Sequence, residues 1–277
     1  MSWRLVVSPP LTGAENMAID EAIMNAVREE RVPPTVRLYS WHLPTLSIGA
    51  FQRIEREVNV ERCKELGVDI VRRPTGGRAV LHEAEVTYSF IVREDHPLIP
   101  PGVRESYQVA ASAIVEGLVD MGVPAEIYSR EDGQRDRHAR PGTGHAPACF
   151  DSPSWYEITV NGKKLVGSAQ RRENGVLLQH GSILLDFDVE KLMSVLKFSS
   201  EERKAASQRS LVDNTETVSR VLGRQVGFDE TAAALVVGFS RRLNQQLVPE
   251  DLTEFEISLA QQLAKEKYSS SEWLNRK

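Results

Sequence analysis

The sequence predicts an α+β fold: mixed and antiparallel β-sheets flanked by helices, with a helical C-terminal segment. Three observations predict it. Up to Asp186, short runs rich in β-branched and aromatic residues alternate as half-buried strands do. Two of these runs meet at Asn161-Gly162, the strongest short-range hairpin signal. From Val189 onward the apolar residues recur at helical spacing instead.

Taken in order, Trp3 to Val7 reads as a strand closed by Ser8-Pro9-Pro10. A helix follows over Ala14 to Arg28, started by Thr12 or Gly13, with Met17, Ala18, Ala22, Ile23 and Ala26 on its core face. Its acidic Glu15, Asp20 and Glu21 suit the positive end of the helix dipole. Thr35 to Tyr39 alternates as a strand with Val36 and Leu38 inward and Arg37 outward, and Thr45 to Gly49 makes another. Asn59 can cap a short helix, Val60 to Leu66, in which Cys63 packs. Val68 to Val71, Ala79 to His82 and Glu85 to Val92 are further strands, the last with Val86, Tyr88, Phe90 and Val92 in phase. Ser106 to Met121 is an amphipathic helix. Gly175 to Asp186 is a strand pair or one bent strand. Helices are expected near Glu190–Leu196, Glu216–Leu222, Asp229–Gln246 and Thr253–Lys267, where Thr253 with Glu256 forms a capping box. Between them, Ser129 to Ala148 lacks any branched aliphatic or aromatic residue and reads as a long functional loop, with solvated His138 and His145.

Composition excludes several classes. With 277 residues, 41% hydrophobic and 26% charged, the chain can bury a sizeable core as an ordinary globular protein. A net charge of −5 argues against a general nucleic-acid binder. The two cysteines, Cys63 and Cys149, make neither a disulfide framework nor a zinc site, and a thiol kept reduced fits the cytoplasm. MSWRLVVSPP carries no signal peptide, and no run is long and apolar enough to span a membrane.

Two stretches carry chemistry. In ACFDSPSWYEITVNGKKLVGSAQ, Cys149 stands at a loop-to-strand junction and Lys164 follows the Asn161-Gly162 turn. A cation near a thiol favours the nucleophilic thiolate. A lone cysteine is more often a small buried hydrophobe, and a lysine past a hairpin is more often solvated; spacing leaves both readings open. In Arg72-Arg73-Pro74-Thr75-Gly76-Gly77-Arg78, glycines between strands allow positive φ and close ligand approach. Backbone N–H groups and arginines there can hold a phosphate or carboxylate, or form only a solvated turn.

The stretch Arg72 to His82 resembles the glycine signature of the biotin/lipoate protein ligase catalytic superfamily. Gly162 to Gln170 resembles its lysine signature, and the likeness continues through Gln179 to Leu184 to Trp273. Pro147 to Glu157, with Cys149 ahead of Lys164, is similar to the cysteine region of the octanoyltransferases of Firmicute-type bacteria. The resemblance implies a biotin/lipoate-ligase-like catalytic domain over residues 31–249, an N-terminal strand and helix over 1–30 packed on it, and a C-terminal helix over 250–277. It implies transfer of octanoate from octanoyl-acyl carrier protein to a lysine of the glycine-cleavage H protein or another lipoyl domain. No cofactor, metal, nucleic acid or membrane is required, and a monomer is expected. Cys149 would be the acylated nucleophile, and Lys164 would lower its pKa and steady the acyl carbonyl. Arg72, Arg73, Gly76, Gly77, Arg78, His82, Gly167 and Ser168 would bind substrate, with Leu46, Ile48, Val80 and Val166 along the acyl chain. Alternatives are an amidotransferase moving octanoate from H protein to dehydrogenase subunits, an ATP-dependent lipoate ligase, and a non-catalytic lipoyl-domain binder.

Overall fold

The computed structural model describes residues 2–128 and 157–276. The chain order is β1 (Trp3–Val7), α1 (Gly13–Arg28), β2 (Thr35–Tyr39), β3 (Thr45–Ile48), α2 (Ile54–Glu57), α3 (Val60–Glu65), β4 (Asp69–Arg72), β5 (Val80–His82), β6 (Glu85–Arg93), α4 (Val103–Asp120) and β7 (Glu126–Tyr128). It continues with β8 (Glu157–Val160), β9 (Lys163–Glu173), β10 (Val176–Leu184), α5 (Val189–Val195), α6 (Glu201–Asn214), α7 (Val218–Leu222), α8 (Phe228–Leu243), β11 (Leu247–Pro249), α9 (Glu254–Leu263) and α10 (Ser271–Leu274). A widened turn, Ala264–Tyr268, joins α9 to α10.

Eight strands form one sheet in the order β11-β1-β2-β6-β10-β9-β8-β7. β1 runs parallel to both its neighbours, and the remaining pairs are antiparallel. A second sheet, β4-β3-β5, mixes one parallel and one antiparallel pairing. The architecture is the mixed-sheet α+β arrangement expected from the sequence.

Three apolar cores follow from these layers. On one face of the large sheet, Val86, Tyr88, Phe90 and Val92 of β6 pack against Ile114 and Leu118 of α4 and Phe239 of α8. Helices α4 and α8 touch backbone to backbone: a Cβ on Gly238 would stand 2.2 Å from Ala113 O. On the other face, Met17, Ile23 and Val27 of α1 pack with Ile91, Leu178 and Ala260. The small sheet packs Leu46, Ile48 and Leu81 against Cys63, Leu192 and Leu211.

Local signals account for most boundaries. Thr12 caps α1 in a reciprocal box with Glu15, and Thr253 does the same for α9 with Glu256. The β8–β9 turn puts Asn161 and Gly162 at φ 52° and 74°, the left-handed pair that such a hairpin needs. Asn174-Gly175 repeats the device between β9 and β10, so Val176–Leu184 is one unbroken strand, not a pair. α4 begins at Val103, a turn earlier than its apolar pattern suggests.

Two differences matter. The sequence reading found no helix over Glu201–Asn214, because Leu211 is its one buried position and the remainder is mostly polar. Arg37, expected outside, is fully buried, because α1 covers the face of β2 that alternation would leave to water.

Candidate active site

Between α1, the two sheets and the turn after β4 lies a cleft of about 450 Å³, its open mouth included. Met17, Tyr39 and Trp41 form one wall, and Ser47, Arg73, Gly77, Val80 and His82 another. Gly167, Ser168 and Ala169 of β9 face His180, Gly181 and Ser182 of β10 across its floor. A side chain at Gly181 would collide with Gly167 O at 2.4 Å, so glycine lets the two backbones close the floor.

The turn after β4 is shaped by its own arginines. Arg73 is buried and donates to Ser47 O and Ser47 Oγ, each at 3.1 Å, to Gly76 O at 2.9 Å and to Arg78 O at 2.7 Å. Its guanidinium fills the loop that the glycines leave open. A Cβ on Gly77, at φ 96°, would sit 2.8 Å from Arg73 Nη2. Arg72 has a different employment from the ligand contact expected of it. It is buried and donates to Gly49 O, Ala50 O, Gln52 O, Trp273 O and Leu274 O, so it latches α10 beneath the turn. Trp273 returns a bond from Nε1 to Arg72 O. Arg78 has a buried Nη1 with no hydrogen-bond partner among the described residues.

Two buried polar networks flank the cleft. In the first, Asp20 of α1 accepts from Arg37 Nη1 at 2.7 Å, Ser89 Oγ at 2.6 Å and Tyr39 OH at 3.1 Å. His180 Nδ1 stands 3.5 Å from the same carboxylate, and His180 Nε2 bonds Thr75 Oγ1 at 2.6 Å. Burial pushes the Asp20 carboxyl up, but Arg37 and His180 outweigh it and hold Asp20 below the usual carboxylate range. Burial lowers His180 despite Asp20, so its neutral form is favoured. In the second, His82 bonds Ser47 Oγ through Nε2 and Glu85 Oε1 through Nδ1, each at 2.7 Å. Trp41 stacks on the His82 ring at 4.1 Å between centroids and donates from Nε1 to Thr87 Oγ1 at 2.8 Å.

Lys164 lies on β9, ahead of the cleft floor. It is buried, not solvated, and donates from Nζ to Glu157 Oε1 at 2.6 Å. The hairpin that sequence predicted creates this pair, and a register shift between Ile158 and Thr159 adjusts it. Cys149 and the Ser129–Ala148 loop lie outside the described residues. Cys63 is the packing thiol expected: burial pushes it up to about 11, which keeps it protonated and inert. Of the four proposed acyl-chain residues, Val80 lines the cleft, while Leu46, Ile48 and Val166 are committed to cores. The sequence reading missed Ser47, Trp41 and His180 as cleft residues, and Asp20 as the buried acceptor behind His180. Among the described residues, no cluster of His, Cys, Asp or Glu could hold a metal, and no helix is long and apolar enough to cross a membrane.

Residues 12–240 match the family model of the lipoyl protein ligase A/B catalytic domain. The chain belongs to this family. Within the lipoyl protein ligase A/B family, it is 47% identical over 276 residues to an octanoyltransferase of Kyrpidia tusciae, covering 100% of this chain and 99% of the relative. It is 45% identical over 272 residues to an octanoyltransferase of Brevibacillus brevis, with 98% of each chain covered. Among solved structures, it superposes on a bi-partite lipoate protein ligase from Thermoplasma acidophilum with a TM-score of 0.79 at 27% identity, covering 100% of this chain and 98% of that one. A lipoate-protein ligase A bound with ATP gives 0.77 at 26% identity, covering 99% and 98%.

Proposed function

We propose that this enzyme is an octanoyltransferase of lipoate biosynthesis, which takes octanoyl from octanoyl-acyl carrier protein and attaches it to the lipoyl-domain lysine of the glycine-cleavage H protein. The observation that carries this reading is full-length identity of 40–47% to relatives named octanoyltransferase. The Cys149 and Lys164 motifs agree with it. The thiolate of Cys149 attacks the donor thioester, a new C–S bond forms, and the carrier's thiolate leaves. The lysine amine of the acceptor then attacks octanoyl-Cys149. A C–N bond forms, the C–S bond breaks, and the electron pair returns to sulfur. Exchange between thioesters is nearly balanced in energy, so no ATP enters. Lys164 brings positive charge to the thiolate and to the developing oxyanion, and the Glu157 carboxylate holds its ammonium in place. Arg73, Gly76, Gly77, Arg78, Gly167 and Ser168 border the acyl and pantetheine path. The setting is the cytoplasm.

Intact mass after incubation with octanoyl-acyl carrier protein tests the covalent step. Wild type should gain one octanoyl group and Cys149→Ala none, with transfer falling at least about 10⁴-fold. Equal gain by both proteins, or by neither, would end the scheme. Octanoyl-H protein supplied as the only donor separates the amidotransferase reading. The ATP-bound structural neighbour gives an ATP-dependent ligase its support; pyrophosphate release from ATP and free octanoate would favour it.

A further inference from the structure

The second half-reaction needs a base. An acceptor lysine has a pKa near 10.4 and arrives as an ammonium. It must lose one proton before it attacks and another as the amide forms. Lys164 is paired with Glu157 and is itself cationic in the proposed scheme.

The cleft wall holds a three-member hydrogen-bond chain of the right kind. Ser47 Oγ lies 2.7 Å from His82 Nε2, and His82 Nδ1 lies 2.7 Å from Glu85 Oε1. The Glu85 carboxylate sets the tautomer: the ring proton sits on Nδ1, and Nε2 accepts from the Ser47 hydroxyl. The ring cannot turn away, because Trp41 stacks on it and Ser182 Oγ bonds Glu85 Oε1 at 2.9 Å beside it. Arg73 Nη1 donates to Ser47 Oγ at 3.1 Å, so the oxygen keeps a cationic donor as its own proton departs. Ser47 and His82 line the cleft, whereas Glu85 is buried behind them.

We propose that Ser47, His82 and Glu85 form the proton relay that deprotonates the acceptor lysine. This rests on the octanoyl-Cys149 reading. As the C–N bond forms and the C–S bond breaks, the amine proton passes to Ser47 Oγ while the Ser47 proton passes to His82 Nε2. The first proton of the ammonium goes to bulk water before attack; the relay takes the second, and His82 then passes it to water, which leaves Cys149 as the thiolate. His82 is the base, Ser47 carries the proton between amine and ring, and Glu85 is a positioning residue. Among the described residues, the titratable and charged groups facing the ring are Glu85 on β6, Arg73 on the turn after β4 and His180 on β10.

The test separates the half-reactions. Octanoyl-acyl carrier protein loads the enzyme, excess donor is removed, and apo-H protein is added. In His82→Gln, amide formation should fall about 10²–10⁴-fold, at least tenfold more than loading. The pH profile of the transfer step should change shape in His82→Gln. Added imidazole should restore part of the rate. Glu85→Gln and Ser47→Ala, checked by thermal melts, should show the same selective loss. Folded variants that lose loading and transfer equally, or that keep the wild-type pH profile, overturn the relay. A wild-type enzyme that never loads overturns the Cys149 reading and the relay with it.

Discussion

Asp20→Ala should cost about 3–5 kcal/mol of stability, because it leaves the Arg37 guanidinium buried without its counter-charge. Set against a typical total of about 5–15 kcal/mol, that is enough to unfold much of the protein at elevated temperature. Three other donors, Ser89 Oγ, Tyr39 OH and His180 Nδ1, lose their acceptor at once. A urea titration reads the effect as a lower midpoint. The double variant Asp20→Leu with Arg37→Met should recover part of the loss, because it removes both charges and refills the volume. No recovery would mean that the network's hydrogen bonds matter more than the ion pair. The same network sets an acid limit. His180 is depressed by burial, so its contribution is full above the unfolded value near 6.5 and is lost as pH falls below it. Asp20 is also depressed; its contribution is full above about pH 4 and disappears as pH falls further. Melting temperature should therefore begin to drop between pH 7 and 6, and His180→Gln should delay that first drop.

The second large effect is expected at the opposite end of the chain. Glu256 caps α9 through Thr253 and also takes both terminal nitrogens of Arg4, itself buried in β1. Burial pushes the Glu256 carboxyl up, yet the bonds from Arg4 and Thr253 prevail and hold it below its ordinary value. Glu256→Ala removes a capping box and strands a buried guanidinium, an expected loss of about 3–5 kcal/mol. Glu256→Gln keeps the shape without the charge and should cost less. Equal melting curves for wild type and Glu256→Ala would show that the pair contributes nothing net. A depressed carboxylate stabilises above its unfolded pKa, so the difference between wild type and Glu256→Ala should shrink below about pH 4.

Much of this site was legible in the sequence, for identifiable reasons. Period-two patterning found β6, and turn chemistry found the β8–β9 hairpin that carries Lys164. The glycine turn was visible, but the work of its arginines was not. Arg72 and Arg73 look alike in sequence, and their partners come from backbone carbonyls as far as 202 residues away. Asp20 was read only as an acid suited to the helix dipole. Yet Asn16, Asp20, Ile23 and Val27 fall on one helical stripe, and a carboxylate within an apolar stripe signals a buried partner. Ser47 and His180 gave no such signal, since each is ordinary until the small sheet and β10 enclose a common space. Glu157 was quoted in the motif, but only the hairpin register brings its carboxylate to Lys164.

The placement of β1 bears on how the molecule is made. Its partner β2 follows within a few dozen residues, but its other neighbour β11 and the counter-ion of Arg4 come from Leu247 and Glu256. At a ribosomal rate of roughly 5–20 residues per second, that delay lasts on the order of tens of seconds. Throughout it, the nascent chain carries an open sheet edge and an unneutralised guanidinium, a form suited to chaperone capture and prone to clumping. A strand made about 240 residues before β11 is thus among the last to be secured.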